Sequence, residues 1–478
     1  MGNRHNALRL TRLRPLALLL PLVLAGCNTA PNSAEYAPKS MNTGEFVSHL
    51  NGQTALQPLP NDWWQLYQDE RLNQLVRQAL NANNDLRVAE ANLRRTQALL
   101  QQTSADRLPA TTLSAGATYG DATQGASDDQ WSETAGLSVA WEADFWGRIR
   151  QAIDAAEADV AAEQAARDMV RVTVAAETTR AYLNLCAYGN QLNVVEASLA
   201  NSKTQRDIIA AQFAAGTVTE SALASAEAVV ATVQAQLPIA HASKQNALFE
   251  LAALLGLTPA EAPQDLQSCT LPPQVALALP VGDGTELLRR RPDLRQAEQT
   301  LAADIVRIGV AMADLYPRIS LGASANYLQN DVVSGSDSLS YGIGPLISWN
   351  FPNTLAARAR LAQAKAQAQV SVAAFDGLVV NALKEVEQAL TSLNAVTAQQ
   401  QSLARAEQQA TRAYNLDKVR FDVGAIAHVD LLVSQRNMLD SRTANAQAQV
   451  TLTNAQVNLF KALGGGWQQA AGVTVKAN

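Results

Sequence analysis

The chain has 478 residues, room for roughly two to four ordinary domains, with 37 basic and 43 acidic residues and a formal net charge of −6. That negative balance argues against nucleic acid as a partner, and an aromatic content of 5% argues against a large aromatic-rich globular core. Three cysteines, Cys27, Cys186 and Cys269, are too few for a disulfide framework.

At the N-terminus, Arg4, Arg9, Arg12 and Arg14 precede an apolar run from Leu16 to Leu24, and no acid occurs before Glu35. A basic start, a short apolar stretch and small residues make a secretory signal. The run is too short to cross a bilayer as a helix, which takes roughly 20 residues. It ends in Leu24-Ala25-Gly26-Cys27, which resembles the lipobox of bacterial lipoproteins. The resemblance implies cleavage before Cys27 and acylation of its thiol and its new amine. Asn28, where an aspartate would retain the protein at the inner membrane, implies the outer membrane. Several acyl chains exceed the single-chain limit for marginal binding. Removing residues 1–26 takes four arginines and no acid, leaving 33 basic residues against 43 acids and a charge near −10. No later apolar run reads as a membrane helix, so any crossing is expected to use strands of a closed barrel.

The mature chain repeats itself at a constant offset of 208 residues. Asp85-Leu86-Arg87 with Ala89, Glu90 and Leu93 recurs as Asp293-Leu294-Arg295 with Ala297, Glu298 and Leu301. The same offset joins Pro109 to Pro317, Tyr119 to Tyr327, Trp141 to Trp349, Phe213 to Phe421, Gly216 to Gly424 and Leu255-Gly256 to Leu463-Gly464. Solenoid repeats have periods of about 20–50 residues, so this one is a duplicated domain. Six segments follow: a signal (1–26), a tethered stretch (27–61), the first copy (62–258), a Pro-rich linker (259–284), the second copy (285–470) and a tail (471–478).

Each copy reads alike. A helix starts near Asp85 or Asp293, where an acid suits a first turn, and ends by Pro109 or Pro317. Leu113, Ala115, Ala117 and Tyr119 then alternate with smaller polar residues, as do Ile319, Leu321, Ala323, Ala325 and Tyr327. A polar loop (121–130; 330–337) leads to a second alternating stretch with Leu137, Val139 and Trp141, or Ile343 to Trp349. Period-two alternation over about ten positions is the mark of a transmembrane strand. Thr112, Ser114, Thr118, Ser320, Ser324 and Asn326 occupy the other face and suit a wet interior. A long helical stretch follows, from Arg148 to Ala215 and from Leu355 to Val423, about 100 Å at 1.5 Å per residue. Gly216 and Gly424 close these helices, and a second helix returns from each, loosely from Thr217 to Leu255 past Pro238 and unbroken from Ala425 to Leu463. Cys186 falls in a helical stretch and Cys269 in the linker, so the two are expected to stay unbridged.

Four strands cannot close a membrane barrel, and an open edge cannot face lipid. Two chains would give eight strands and little lumen, three would give twelve and a passage. Strand count does not choose between them, but a transport role favours three. The fold class expected is therefore mixed α and transmembrane β, with four strands per chain contributing to an oligomeric barrel continued by long helical hairpins.

At Trp63-Trp64 with Leu66-Tyr67 and Asp69, Asp144-Phe145-Trp146-Gly147-Arg148, Arg289-Arg290-Arg291-Pro292-Asp293-Leu294, and Phe421 with Gly424 and Leu463-Gly464-Gly465, the chain resembles the TolC-like outer-membrane efflux proteins, in their lipoprotein (NodT-type) branch. The resemblance covers nearly the whole mature chain. It implies a homotrimer, a twelve-stranded barrel, a helical tube reaching into the periplasm, and partnership with a periplasmic adaptor and an inner-membrane pump. Efflux of drugs, toxic compounds or ions is the implied activity; a type I protein-secretion duct shares the fold, and a coiled-coil scaffold without a channel is the reading from another class.

The resemblance also implies a periplasmic gate just after the second tip glycine. Asp430 matches a constricting aspartate, Val429 an apolar constriction position and Arg436 a gate-linking arginine. Val433 departs from the second aspartate that many members carry, which puts a double acidic ring in doubt. The tips, Phe213, Gly216, Thr217 and Val218 in one copy and Phe421, Gly424, Ala425 and Ile426 in the other, are the implied adaptor-docking surfaces. The arginine triplet 289–291 reads as a structural cluster ahead of a Pro-initiated helix. No Cys/His cluster has metal spacing, and there is no Gly-x-Ser-x-Gly or phosphate loop. No enzyme activity and no cofactor beyond the lipid on Cys27 are expected.

Overall fold

A computed structural model describes residues 33–40, 44–48, 54–55, 59–120, 129–275 and 279–466. The signal, Cys27 and the tail lie outside the described residues, as does most of the first hairpin loop (121–128). In chain order the main elements are α1 (Glu70–Ala82), α2 (Asn84–Ala105), β1 (Ala110–Gly120), β2 (Gln130–Ala143), α3 (Arg148–Ala214), α4 (Glu220–Leu254), α5 (Gly284–Arg290), α6 (Pro292–Ala313), β3 (Arg318–Gln329), β4 (Leu339–Ser348), α7 (Leu355–Asp422) and α8 (His428–Ala462). The duplication is thus visible as α2-β1-β2-α3-α4 and α6-β3-β4-α7-α8. The chain divides into two compact units, each described in its own terms.

Among the described residues, the first unit comprises 33–39, 94–120, 129–162 and 297–375. Its sheet has the order β1-β2-β3-β4, antiparallel throughout, so the two hairpins lie side by side through β2 and β3. The duplication repeats individual bonds: the Trp141 indole donates to the Arg107 carbonyl at 3.0 Å, and the Trp349 indole to the Leu315 carbonyl at 3.1 Å. The Asp144–Arg148 motif turns β2 into α3. The Asp144 carboxylate caps the helix by accepting from the Ile149 and Arg150 amides, and Gly147 supplies a φ of +73°. Arg148 holds Glu142 through two bonds of 2.9 and 2.8 Å. Trp146 stacks on Tyr316 with ring centroids 4.8 Å apart and donates to the Pro317 carbonyl. Asp304, almost fully buried, accepts from Arg307, Gln367 and Ser371 beside the small cluster of Tyr36, Ile308 and Ala368.

The second unit comprises residues 40–93, 163–296 and 376–478. Its main core gathers Trp63, Trp64, Tyr67, Leu72, Leu183, Leu251, Leu390 and Phe460, with Trp63 stacked on Phe460 at 4.6 Å. Asp69 links this core to its elements: one oxygen caps α1 at the Leu72 amide, the other accepts from the Tyr182 hydroxyl, each at 2.9 Å. Arg291 of the triplet is buried, ion-paired to Asp293 at 2.7 Å and Glu385 at 2.9 Å, and donates to the Ala462 carbonyl at 3.1 Å. Asn83 occupies the equivalent position 208 residues earlier and donates to the Leu254 carbonyl at the same 3.1 Å. One architectural bond is therefore made by an amide in the first copy and a guanidinium in the second.

Two expectations are corrected here. Cys186 and Cys269 are joined by a disulfide, with Cα atoms 4.7 Å apart. The linker is not loose. It forms two short 3-10 turns, Pro259–Glu261 and Gln264–Ser268, and lies so close to α3 that a Cβ on Gly189 would fall 2.1 Å from the Cys269 carbonyl oxygen. Gly189 sits one turn beyond Cys186 on the same helix face, and that close approach brings the thiols together. The second correction concerns α4, which continues unbroken through Pro238 and is long and apolar enough by length and composition to cross a membrane. Its hydropathy comes largely from alanines and valines, of which Ala226, Val233, Ala240 and Ala247 are buried.

The disulfide closes a loop of 83 residues, for which loss of unfolded-state entropy gives about 4–5 kcal/mol. The Cys186→Ser/Cys269→Ser variant is expected to unfold at clearly lower urea in detergent solution, with reductant lowering the wild-type midpoint to match. An unchanged midpoint would show that the bridge does not hold the linker.

Candidate channel wall and gate

The sheet carries two faces with opposite chemistry, kept in phase by register. Leu113 pairs with Leu137, Leu137 with Ala325 and Ala325 with Tyr341. One step along, Thr112 pairs with Ser138, Ser138 with Ser324 and Ser324 with Gly342. Apolar rows thus alternate with polar rows across all four strands, because side chains switch face at every residue. The apolar face is bare in the single chain: Leu113 is 78% exposed, Ile343 77% and Tyr341 86%. A patch this continuous marks a surface that meets lipid or protein.

Aromatic residues bracket the apolar rows. Tyr119 packs obliquely on Trp131 at 5.5 Å at one end, and Trp141 and Trp349 stand at the other, the latter stacked on Phe351 at 4.7 Å. Trp131 and Trp141 are ten residues apart in β2, about 34 Å along an extended strand. A tilt of about 40° projects that to about 26 Å, which matches the roughly 25 Å apolar band between the aromatic girdles of outer-membrane barrels. The outermost strands, β1 and β4, each present an unpaired edge.

In the second unit the two helical hairpins turn through the same motif. The Gly216 amide bonds the Phe213 carbonyl and the Thr217 amide the Gln212 carbonyl, each at 2.9 Å. The Gly424 amide bonds Phe421 at 2.9 Å and the Ala425 amide bonds Arg420 at 2.8 Å. Both glycines have φ near +70°, so each turn is a Schellman motif in which a left-handed residue satisfies the last carbonyls. The return helices then diverge. Thr219 caps α4 by accepting from the Ala222 amide at 3.4 Å, whereas its equivalent, Ala427, has no side-chain acceptor. Asp430 compensates in part by turning its carboxylate back to the Ala427 amide, 3.3 Å away.

The residues named for the gate fall into two groups. Val429, Val433 and Arg436 share one face of α8 and line a cavity of about 420 Å³ against Val229 and Val233 of α4. Val429 and Val433 are exposed, and Arg436 stands 4.0 Å from Asp440. Asp430 is exposed beside them but does not line that cavity. Beneath the tip, Leu199, Val233, Tyr414, Leu431, Met438 and Leu439 form a separate apolar cluster with Phe421 and Ile426 at its margin. Thus Phe421 and Ile426 pack inward, while Gly424 and Ala425 remain exposed. His428, which belongs to no motif in the sequence, is buried against Phe421 at a centroid distance of 5.6 Å. Among the described residues, no group of three or more His, Cys, Asp and Glu is placed to hold a metal ion.

A sheet with one lipid-facing and one wet face, two open edges and paired helical hairpins defines a subunit of an oligomeric outer-membrane channel. The family model for the outer membrane efflux protein matches residues 75–257 and 284–465, one match per copy. The chain belongs to the outer membrane efflux protein family. It is 30% identical over 470 residues to the pyoverdine export outer membrane protein OpmQ of Pseudomonas putida, covering 95% of this chain and 98% of the relative. It is 27% identical over 462 residues to the cation efflux system protein CusC of Escherichia coli O157:H7, covering 95% and 99%. Among solved structures, the outer-membrane channel OprN is 33% identical with a TM-score of 0.81, over 91% of this chain and all of that one. The protein is the outer-membrane channel component of an efflux pump.

Leu137 and Ser138 are neighbours on opposite faces of β2, so the same substitution separates lipid from lumen. Leu137→Arg is expected to cost about 2–4 kcal/mol at the bilayer midplane and to abolish outer-membrane insertion. Ser138→Arg is expected to insert normally and to lower cation conductance in planar bilayers. Equal effects at the two positions would overturn the assignment of faces.

Proposed function

We propose that three copies close a twelve-stranded barrel through the free edges of β1 and β4, and that their helical hairpins continue the passage through the periplasm. The observation that carries this is the in-phase apolar and polar rows of a sheet with both edges open. Two copies would give eight strands, whose interior side chains fill; three leave a lumen. The exported cargo is a small molecule or ion delivered by an inner-membrane transporter through a periplasmic adaptor. Relatives named for pyoverdine export and for cation efflux share nearly the full length of this chain, which supports a frame that conducts without tightly selecting its cargo.

In this reading Val429, Asp430, Val433 and Arg436 form the periplasmic constriction. Three Asp430 carboxylates around a narrow axis would favour cations, as acidic rings do in other channels, while Val429 and Val433 make the passage partly apolar. The turns Gly216-Thr217-Val218 and Gly424-Ala425-Ile426, with Phe213 exposed beside the first and Phe421 and Ile426 packed beneath the second, are the adaptor-docking surfaces. Cleavage before Cys27 and acylation there tether each copy to the outer membrane, and the covalent lipid is the one non-protein group required.

Two measurements test this. Purified protein in planar bilayers is expected to conduct, and Asp430→Asn, which keeps an oxygen for the Ala427 amide, is expected to reduce cation preference; unaltered selectivity would remove Asp430 from the constriction. Cys27→Ser is expected to lose radiolabelled palmitate incorporation, and retention of label would place the anchor elsewhere.

A further inference from the structure

The start of α8 holds an ionisable group in a place built for a neutral one. His428 is 8% exposed, and neither ring nitrogen has a hydrogen-bond partner among the described residues. It packs on Phe421 at the end of α7 and occupies the first position of a helix whose N-cap, Ala427, contributes no side chain. Two turns further, Gln435 is 1% exposed and both polar atoms of its amide are also unpartnered among the described residues. In the first copy the residue equivalent to His428 is Glu220, which is exposed beyond a capped start.

A protonated imidazole here would lose its hydration without gaining an acceptor and would add positive charge at the positive end of a helix. Burial holds the His428 imidazole below its ordinary value, and no charged neighbour offsets that. On α7, Asp417 pairs with Arg420 at 3.4 Å, Lys418 and Asp422 are exposed, and burial raises the pKa of Tyr414. On α8, Asp430 faces the Ala427 amide. Near the other tip, Arg206 pairs with Asp207 at 2.8 Å and Glu220 is exposed.

We infer that His428 is a proton-sensitive latch: neutral, it seats the first turn of α8 on Phe421, and protonated, it leaves that seat and frees the turn that carries Val429 and Asp430. The sign follows from linkage. In the released state the imidazole titrates near pH 6.5, above its value in the seated state. Protons therefore favour release as the pH falls below about 6.5, by up to tenfold per unit until the seated form itself titrates. Above that range the seated form is fully favoured. The consequence for conductance rests on the constriction proposed above; the local release does not.

The experiment reads the two separately. Hydrogen exchange of residues 425–432, corrected for intrinsic rates, is compared with bilayer conductance from pH 7.5 to 5 for wild type, His428→Phe and His428→Leu. Faster exchange and more frequent opening at low pH in wild type, both absent in the apolar variants, are the expected result. Acid-enhanced exchange without any change in conductance would support the latch and overturn the gate reading. Equal pH dependence of exchange in wild type and in either folded variant would overturn the latch.

Discussion

Everything in this molecule follows from the requirement that no backbone hydrogen-bonding group be left bare in hydrocarbon. Each unsatisfied group there costs several kcal/mol, and β1 and β4 each bring a full row of them. The chain cannot meet that requirement alone. Its four strands pair through the middle, β2 with β3, and leave the outer edges for other copies. Insertion and assembly are thereby one event, which is why the apolar face can be so extensive without being covered in the single chain.

Duplication explains how one chain supplies two equivalent pieces of wall. The two Schellman turns and the paired tryptophan bonds survive with the same geometry, and the bond from position 83 or 291 survives although its donor changed from Asn to Arg. Such positions are fixed by backbone geometry, which tolerates any side chain that delivers the donor. Divergence collects where the return helices begin. Thr219, Glu220, Ser221 and Ala222 in the first copy stand opposite Ala427, His428, Val429 and Asp430 in the second. The capped, polar start belongs to a wall element. The start without a capping side chain carries exposed Val429 and Asp430, the residues on which the proposed constriction rests.

What the sequence made legible, and what it did not, divides along the range of the interactions. Strands, helices and turns came from local signals: period-two alternation from Leu113 to Tyr119, a long stretch free of proline, a glycine at each tip. Those signals located α3 and α7 to within a residue or two of their ends. The Cys186–Cys269 bridge was missed because it depends on a tertiary approach over Gly189, and a glycine in a helix reads locally as a weakness. The arginine triplet read as structural, but the partners of Arg291, and the burial of Asp304 in the middle of α6, were hidden for the same reason, since both depend on residues distant in sequence. His428 gave no pattern at all; only its burial against Phe421 distinguishes it from His241, which is largely exposed.

The second unit is unevenly stabilised, and that unevenness has a physical direction. Around Trp63 and Phe460 the packing is dense, aromatic and stapled by a disulfide, with Asp69 and Arg291 satisfying their buried partners. Towards the tip the core thins to a cluster of six buried residues, and His428 and Gln435 are enclosed there without partners among the described residues. An unmade buried hydrogen bond costs about 1–3 kcal/mol; such atoms occur in the main core too, at Trp63 and Tyr67, but near the tip fewer buried apolar side chains offset the cost. Cooperative units of low stability are the ones that open first. For the constriction proposed above, this arrangement would set a densely packed frame behind an end that costs less to move.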